Sequence, residues 1–103
     1  MSDILIRIKR AVLAGRFIFS EKAILELNTD GLTELDVVES ILNAVAIYKK
    51  LRSTSPMRIK PKEYLYVIQS TNLNGLPIYT KGKLTRKDGE DTYYFLISSK
   101  RGQ

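Results

Sequence analysis

The chemistry open to this chain has to come from lysine and tyrosine. The stretch Ile78-Tyr79-Thr80-Lys81-Gly82-Lys83 alternates as a β-strand does. Ile78, Thr80, Gly82 and Leu84 share one face, and Tyr79, Lys81 and Lys83 share the other. A phenol beside two ammonium groups suits a phosphate backbone. The plainer reading of the same pattern is a solvated strand face, since lysine is common on exposed strands. The chain has no histidine and no cysteine. That removes the usual general base, the commonest metal ligand and thiolate chemistry together. A zinc site would need carboxylates alone, so no metal and no small-molecule cofactor is expected. Gly82-Lys83 lacks the upstream glycine of a phosphate-binding loop, and a Ser-His pair is impossible. Glu63, Asp88, Glu90 and Asp91 fall at expected strand ends and turns, where solvated charges are normal, and offer no pair for glycosidase work.

Lysine and tyrosine can cleave RNA without a metal. The 2′-hydroxyl attacks the neighbouring phosphorus once a base takes its proton. Cations stabilise the added negative charge, and an acid protonates the leaving 5′-oxygen. A lysine serves as base when neighbouring positive charge lowers its pKa, which a cluster of lysines provides. Exposed tyrosines would stack on unpaired bases, and all six tyrosines lie from Tyr48 onward. The net charge of +6 is uneven. Residues 1–47 balance to −2 and residues 48–103 to +8. One basic surface, facing nucleic acid or an acidic partner, follows.

The elements that must position these groups are legible in outline. At 103 residues the chain makes one domain with a real core. No run approaches the about 18 apolar residues of a membrane span. The start, Met1-Ser2-Asp3, lacks signal-peptide character, so a cytoplasmic location is expected. Ser2 can cap a first helix to about Ala14, with Ile4, Leu5, Ile8, Val12 and Leu13 as its apolar stripe and Gly15 as its stop. Arg16 to Phe19 reads as extended or a short strand. Ser20 caps a second helix to about Asn28, burying Ala23, Ile24 and Leu27. Thr33 and Asp36 form a capping box for a third, ending near Asn43 or Ala44. Leu35, Val38, Ile41 and Leu42 make its apolar face, with Val37 and Val45 at the flanks.

Beyond it, residues 45–52 read as a strand, and Met57 to Lys62 as a mobile basic loop along the basic face. Three strands follow, from Tyr64 to Ser70, Leu76 to Arg86 and Thr92 to Lys100, joined by turns at Asn72–Gly75 and Lys87–Asp91. In the last strand, strict alternation sets Tyr93, Phe95 and Ile97 against Tyr94, Leu96, Ser98 and Lys100. The expected fold is α+β, with N-terminal helices packed on a curved antiparallel meander of three to four strands.

This order of elements resembles the RelE-like group of mRNA interferase toxins, and within it the MqsR-type toxins. Ile8 to Arg16 is similar to their first helix and its glycine-bounded end, and Ser20 to Ala23 with Asp30-Gly31-Leu32 to their second helix and turn. Ile47-Tyr48-Lys49-Lys50, Ile78-Tyr79-Thr80-Lys81 and Leu96-Ile97-Ser98-Ser99-Lys100 are similar to three of their strands. The chain is also similar to a related, largely uncharacterised group of the same layout.

The resemblance implies a metal-independent endoribonuclease of a type II toxin-antitoxin system, with RNA as substrate and a cognate antitoxin as partner. Lys49, Tyr79 and Lys100 fall on the lysine, tyrosine and last lysine implicated in cleavage. The family's glutamine falls in a region that here holds Lys62 and Glu63. On this reading Tyr79 and Lys100 transfer protons, Lys49, Lys81 and Lys83 hold the phosphate, and Arg58, Lys60 and Lys62 steer the strand. A non-catalytic RNA- or protein-binding domain on the same fold is the alternative, and a structural or regulatory protein with merely solvated lysines is a third.

Overall fold

The computed structural model describes residues 3–52, 63–87 and 91–103. Ser2 and the segment carrying Arg58, Lys60 and Lys62 therefore lie outside the described residues. The described chain runs α1 (Asp3–Leu13), β1 (Phe17–Phe19), α2 (Glu21–Thr29), α3 (Glu34–Asn43), β2 (Lys49–Arg52), β3 (Tyr64–Thr71), β4 (Pro77–Lys87) and β5 (Asp91–Arg101). The class is α+β, with three helices on a sheet ordered β1-β5-β4-β3-β2. The sheet has five strands and is mixed, which corrects the expected antiparallel meander of three to four. β2 to β5 are antiparallel neighbours, and β1 adds to β5 in parallel, with Phe17 opposite Tyr94 and Phe19 opposite Leu96. A three-residue strand carries no periodicity that could announce a partner so distant in sequence.

Each helix buries the stripe that its period dictates. α1 buries Leu5, Ile8, Ala11 and Val12 and leaves Leu13 exposed; α2 buries Ala23 and Leu27. In α3 the expected Ile41 is buried and Val38 and Leu42 pack partly buried against the core, but the face is rotated from the expected one. Val37 and Ile41 face the core, whereas Leu35 and Val45 are exposed. The apolar arc of α3 is broad, so its sequence alone does not fix which part of it turns inward. Tyr66, Ile68, Ile78, Tyr94 and Leu96 complete the core from the sheet. The expected strand over 45–52 begins only at Lys49, because Ala44 ends α3 and Val45 is exposed.

The capping box at α3 also fastens the helix to the β3–β4 turn. The Thr33 amide donates to Asp36 Oδ2 at 2.9 Å, and the Asp36 amide donates to Thr33 Oγ1 at 3.1 Å. The buried Asn72 donates from Nδ2 to Asp36 Oδ1 at 3.1 Å, and its own Oδ1 accepts from the Asn74 and Leu76 amides. The Thr33 backbone bond, with help from Asn72, holds the Asp36 carboxyl below its ordinary value against a smaller opposing effect of burial. A depressed carboxyl stabilises the fold above its unfolded pKa and loses that contribution as pH falls through its folded one. Asp36→Ala is thus expected to cost about 1 kcal/mol at pH 7. The difference should shrink below about pH 4. Melting curves at pH 7 and pH 3 check both, and an undiminished difference at pH 3 would count against the charge.

Where β4 meets β5 the register slips by one residue. Lys81 faces Ser98 but Gly82 faces Leu96, leaving Ile97 as the extra residue of a β-bulge. Gly82 is where the inner face of β4 is tightest: a Cβ there would lie 2.6 Å from Tyr94 Cζ and 2.8 Å from the Phe95 carbonyl oxygen.

Candidate nucleic-acid interface

Residues paired across strands share a face, so the register sorts the outer face into rows. Gln69 pairs with Tyr79 and Tyr79 with Lys100. Two residues along, Lys49 pairs with Val67, Val67 with Lys81 and Lys81 with Ser98. In the following row Leu51 pairs with Leu65, and Lys83 with Phe95, which in turn lies beside Ile18. Val67 is buried but stands outside the core that the helices share with the opposite face.

The bulge decides where Lys100 goes. Strict alternation groups it with Tyr94 and Leu96, both of which point into the core. The extra residue at Ile97 shifts the phase, so that Ser99 is buried beneath Thr80 and Lys100 emerges opposite Tyr79. Lys100 Nζ lies 5.2 Å from the centre of the Tyr79 ring, close enough for a cation–π contact. The end of β5 that carries it is tied down by α2. Glu26 Oε1 accepts from Ser98 Oγ at 2.6 Å and from the Ser99 amide at 3.2 Å, and Asp30 Oδ2 accepts from the Arg101 amide at 2.9 Å. These bonds satisfy edge donors of β5 beyond the reach of β1 and fix the strand under Lys100.

The sequence-derived residues are brought together unevenly. Tyr79, Lys81 and Lys100 sit on neighbouring positions of one face. Lys49 is on the same face but two strands from Lys81, about 10 Å away between backbones. Lys83 is less available than its place in the strand implied. Its Nζ pairs with Glu63 Oε1 at 3.1 Å and lies 5.8 Å from the centre of the Phe95 ring. Glu63, read from sequence as a solvated charge, has a side chain only 15% exposed. Arg58, Lys60 and Lys62 lie outside the described residues.

Gln69 was missed. It is exposed and in direct register with Tyr79, and the signal was the hairpin itself. The observed register, Thr71 opposite Pro77, needs a five-residue loop over 72–76; counting back from the four-residue turn Asn72–Gly75 would pair Gln69 with Ile78 instead, so the loop length has to be known first. Two of the six tyrosines are not placed to stack on bases. Tyr66 and Tyr94 point into the core, where burial pushes both phenols up. Among the described residues there is no group of three His, Cys, Asp or Glu placed to hold a metal ion, and no helix long and apolar enough to cross a membrane.

Chemically, the row Gln69–Tyr79–Lys100 offers an amide, a phenol and an ammonium on directly paired positions of three strands, with the Lys81 ammonium one row away. That set can bind a phosphodiester and exchange protons with it. No family model matches the chain, and no curated protein and no solved structure is significantly similar to it.

Proposed function

We propose that the protein is an endoribonuclease that cleaves mRNA without a metal, the toxin of a type II toxin-antitoxin pair with a RelE-like fold. The observation that carries the reading is the cross-strand row Gln69–Tyr79–Lys100. Tyr79 and Lys100 serve as the proton-transfer groups. One relieves the attacking 2′-hydroxyl of its proton and the other protonates the departing 5′-oxygen, so the products are a 2′,3′-cyclic phosphate and a free 5′-hydroxyl. Lys81 neutralises the phosphate as negative charge builds on it, Gln69 holds a non-bridging oxygen, and Lys49 takes a neighbouring phosphate of the strand. Gln69 lies apart from the Lys62–Glu63 region where the resemblance to the MqsR-type toxins would put their glutamine, so its role here rests on the register with Tyr79 alone. A cognate antitoxin would bind by covering this cationic face.

The purified chain is expected to cut single-stranded RNA in the presence of excess chelator, leaving cyclic-phosphate ends. Cleavage that stops on chelation would overturn the metal-independent mechanism. The alternative is a non-catalytic RNA- or protein-binding domain. It is favoured by the pairing of Lys83 with Glu63 and by the distance of Lys49, which leave fewer cations over Tyr79 than the sequence implied. Salt-dependent RNA binding without cleavage would establish that alternative.

A further inference from the structure

The outer face changes character within two rows. Beside the cationic positions Lys49 and Lys81 runs the row of Leu51, Leu65, Lys83, Phe95 and Ile18, all half-buried. Leu65 falls next to Lys83, one step on from the Tyr66–Gly82 pair. Lys83 of this row pairs with Glu63, two residues before Leu65, at 3.1 Å, the two side chains 27% and 15% exposed. An ion pair so far out of water contributes little to stability by itself. Its position beside an aromatic ring, with Lys83 Nζ 5.8 Å from the ring centre, gives it another use.

We infer that Phe95, Glu63 and Lys83 form a nucleobase subsite that selects a base carrying an exocyclic amino group; the inference rests on the RNA reading above. Charge places the nucleotide. Lys81 lies about 7 Å along β4 from Lys83, so a phosphate on Lys81 delivers its attached base onto the apolar row. There the Phe95 ring offers a stacking surface, which every base accepts. The ion pair then reads the edge. The Glu63 carboxylate accepts from an amino group, and the Lys83 ammonium donates to the ring nitrogen or carbonyl beside it. Cytosine, adenine and guanine each present such a donor next to an acceptor. Uracil presents carbonyl oxygens on both sides of its N–H, and one of them would face the partly buried carboxylate.

The experiment uses the full chain and end-labelled 2′-O-methyl hexanucleotides, whose 2′-oxygens carry no proton and block cleavage. One ligand is all uridine, and the others carry a single cytidine at each position in turn. Fluorescence anisotropy at low salt gives Kd. One cytidine position is expected to bind about tenfold tighter than uridine, and Glu63→Gln to bind the two ligands equally. Phe95→Leu is expected to weaken both by about tenfold, and Phe95→Tyr to keep the wild-type affinity. Wild-type protein that binds all ligands equally, with salt dependence and with loss in Lys81→Ala, would overturn the subsite and leave the RNA reading standing. A folded wild-type chain that binds no ligand would overturn both. If Phe95→Leu melts well below wild type, the comparison of cytidine and uridine in wild type and Glu63→Gln decides alone.

Discussion

Lys100→Ala is expected to lower the rate of RNA cleavage by about 10²–10⁴-fold, the usual contribution of one positioned proton-transfer group. Tyr79→Phe should fall in the same range, since it removes only the phenolic hydroxyl from the row. The two losses should not add, because groups that act as a unit fail together. The kinetic split separates these residues from their neighbours. Loss of Lys100 should appear in kcat, whereas Lys81→Ala should raise KM as well, since in the proposed mechanism Lys81 binds the phosphate in the ground state too. Lys100→Arg tests whether charge suffices. Arginine keeps the cation but does not give up its proton at neutral pH. Activity near wild type in Lys100→Arg would reduce Lys100 to electrostatic stabilisation and move proton transfer to Tyr79 alone. The fold should be indifferent to these changes, because Lys100 is exposed and makes its contact with the Tyr79 ring at the surface.

Gly82→Ala should produce the largest loss of stability from the smallest change in size. The added methyl would meet Tyr94 Cζ at 2.6 Å, the Tyr94 hydroxyl oxygen at 2.7 Å and the Phe95 carbonyl oxygen at 2.8 Å. Tyr94 is fully buried and cannot swing aside, and the carbonyl belongs to the strand itself. Overpacking of this kind typically costs about 1–3 kcal/mol, and two rigid neighbours argue for the upper end. For a domain of this size that is a fall in melting temperature of roughly 10–20 °C. Gly82→Ala/Tyr94→Leu should recover only part of it, since the Phe95 carbonyl remains in the way. A melting temperature within 2 °C of wild type, on the order of the shift from a neutral surface change, would contradict the close approach. The effect reaches function as well. Gly82 adjoins the bulge that turns Lys100 outward, so a shift of β5 to relieve the clash would also misplace Lys100 against Tyr79.

Helices and strands were legible where a period or a cap announces them. Ser20 accepts from the Ala23 amide, and Thr33 closes its box with Asp36, as their types and spacing imply. The turn at Asn72–Gly75 was also plain, with Gly75 at φ 82°. Two kinds of information were not available to any local reading. The first is pairing between distant segments. Nothing in Phe17-Ile18-Phe19 indicates that it lies parallel to Tyr94-Phe95-Leu96, or that α2 will supply Glu26 and Asp30 to the edge beyond it. The second is phase. A single extra residue at Ile97 exchanges the faces of everything after it, and the run Leu96-Ile97-Ser98-Ser99 gives no sign of the bulge because its polarity fits either phase. Thus alternation alone gives Tyr79, Lys81 and Lys83 their observed shared face, puts Lys100 on the face of Leu96, and contains nothing that singles out Gln69. The partner of Lys83 was hidden for the same reason: Glu63 stands 20 residues away, and only the β3–β4 register brings the two together.

The most direct test is made in cells. Wild-type protein and the Tyr79→Phe/Lys100→Ala double variant are induced in a bacterium, and total mRNA is mapped by primer extension. The expected result is growth arrest with discrete new 5′ ends in the wild type and neither in the double variant, at equal levels of soluble protein. Discrete 5′ ends that persist in the double variant would contradict the Tyr79–Lys100 site, and an absence of arrest and of cleavage by the folded wild-type protein would contradict the endoribonuclease reading itself.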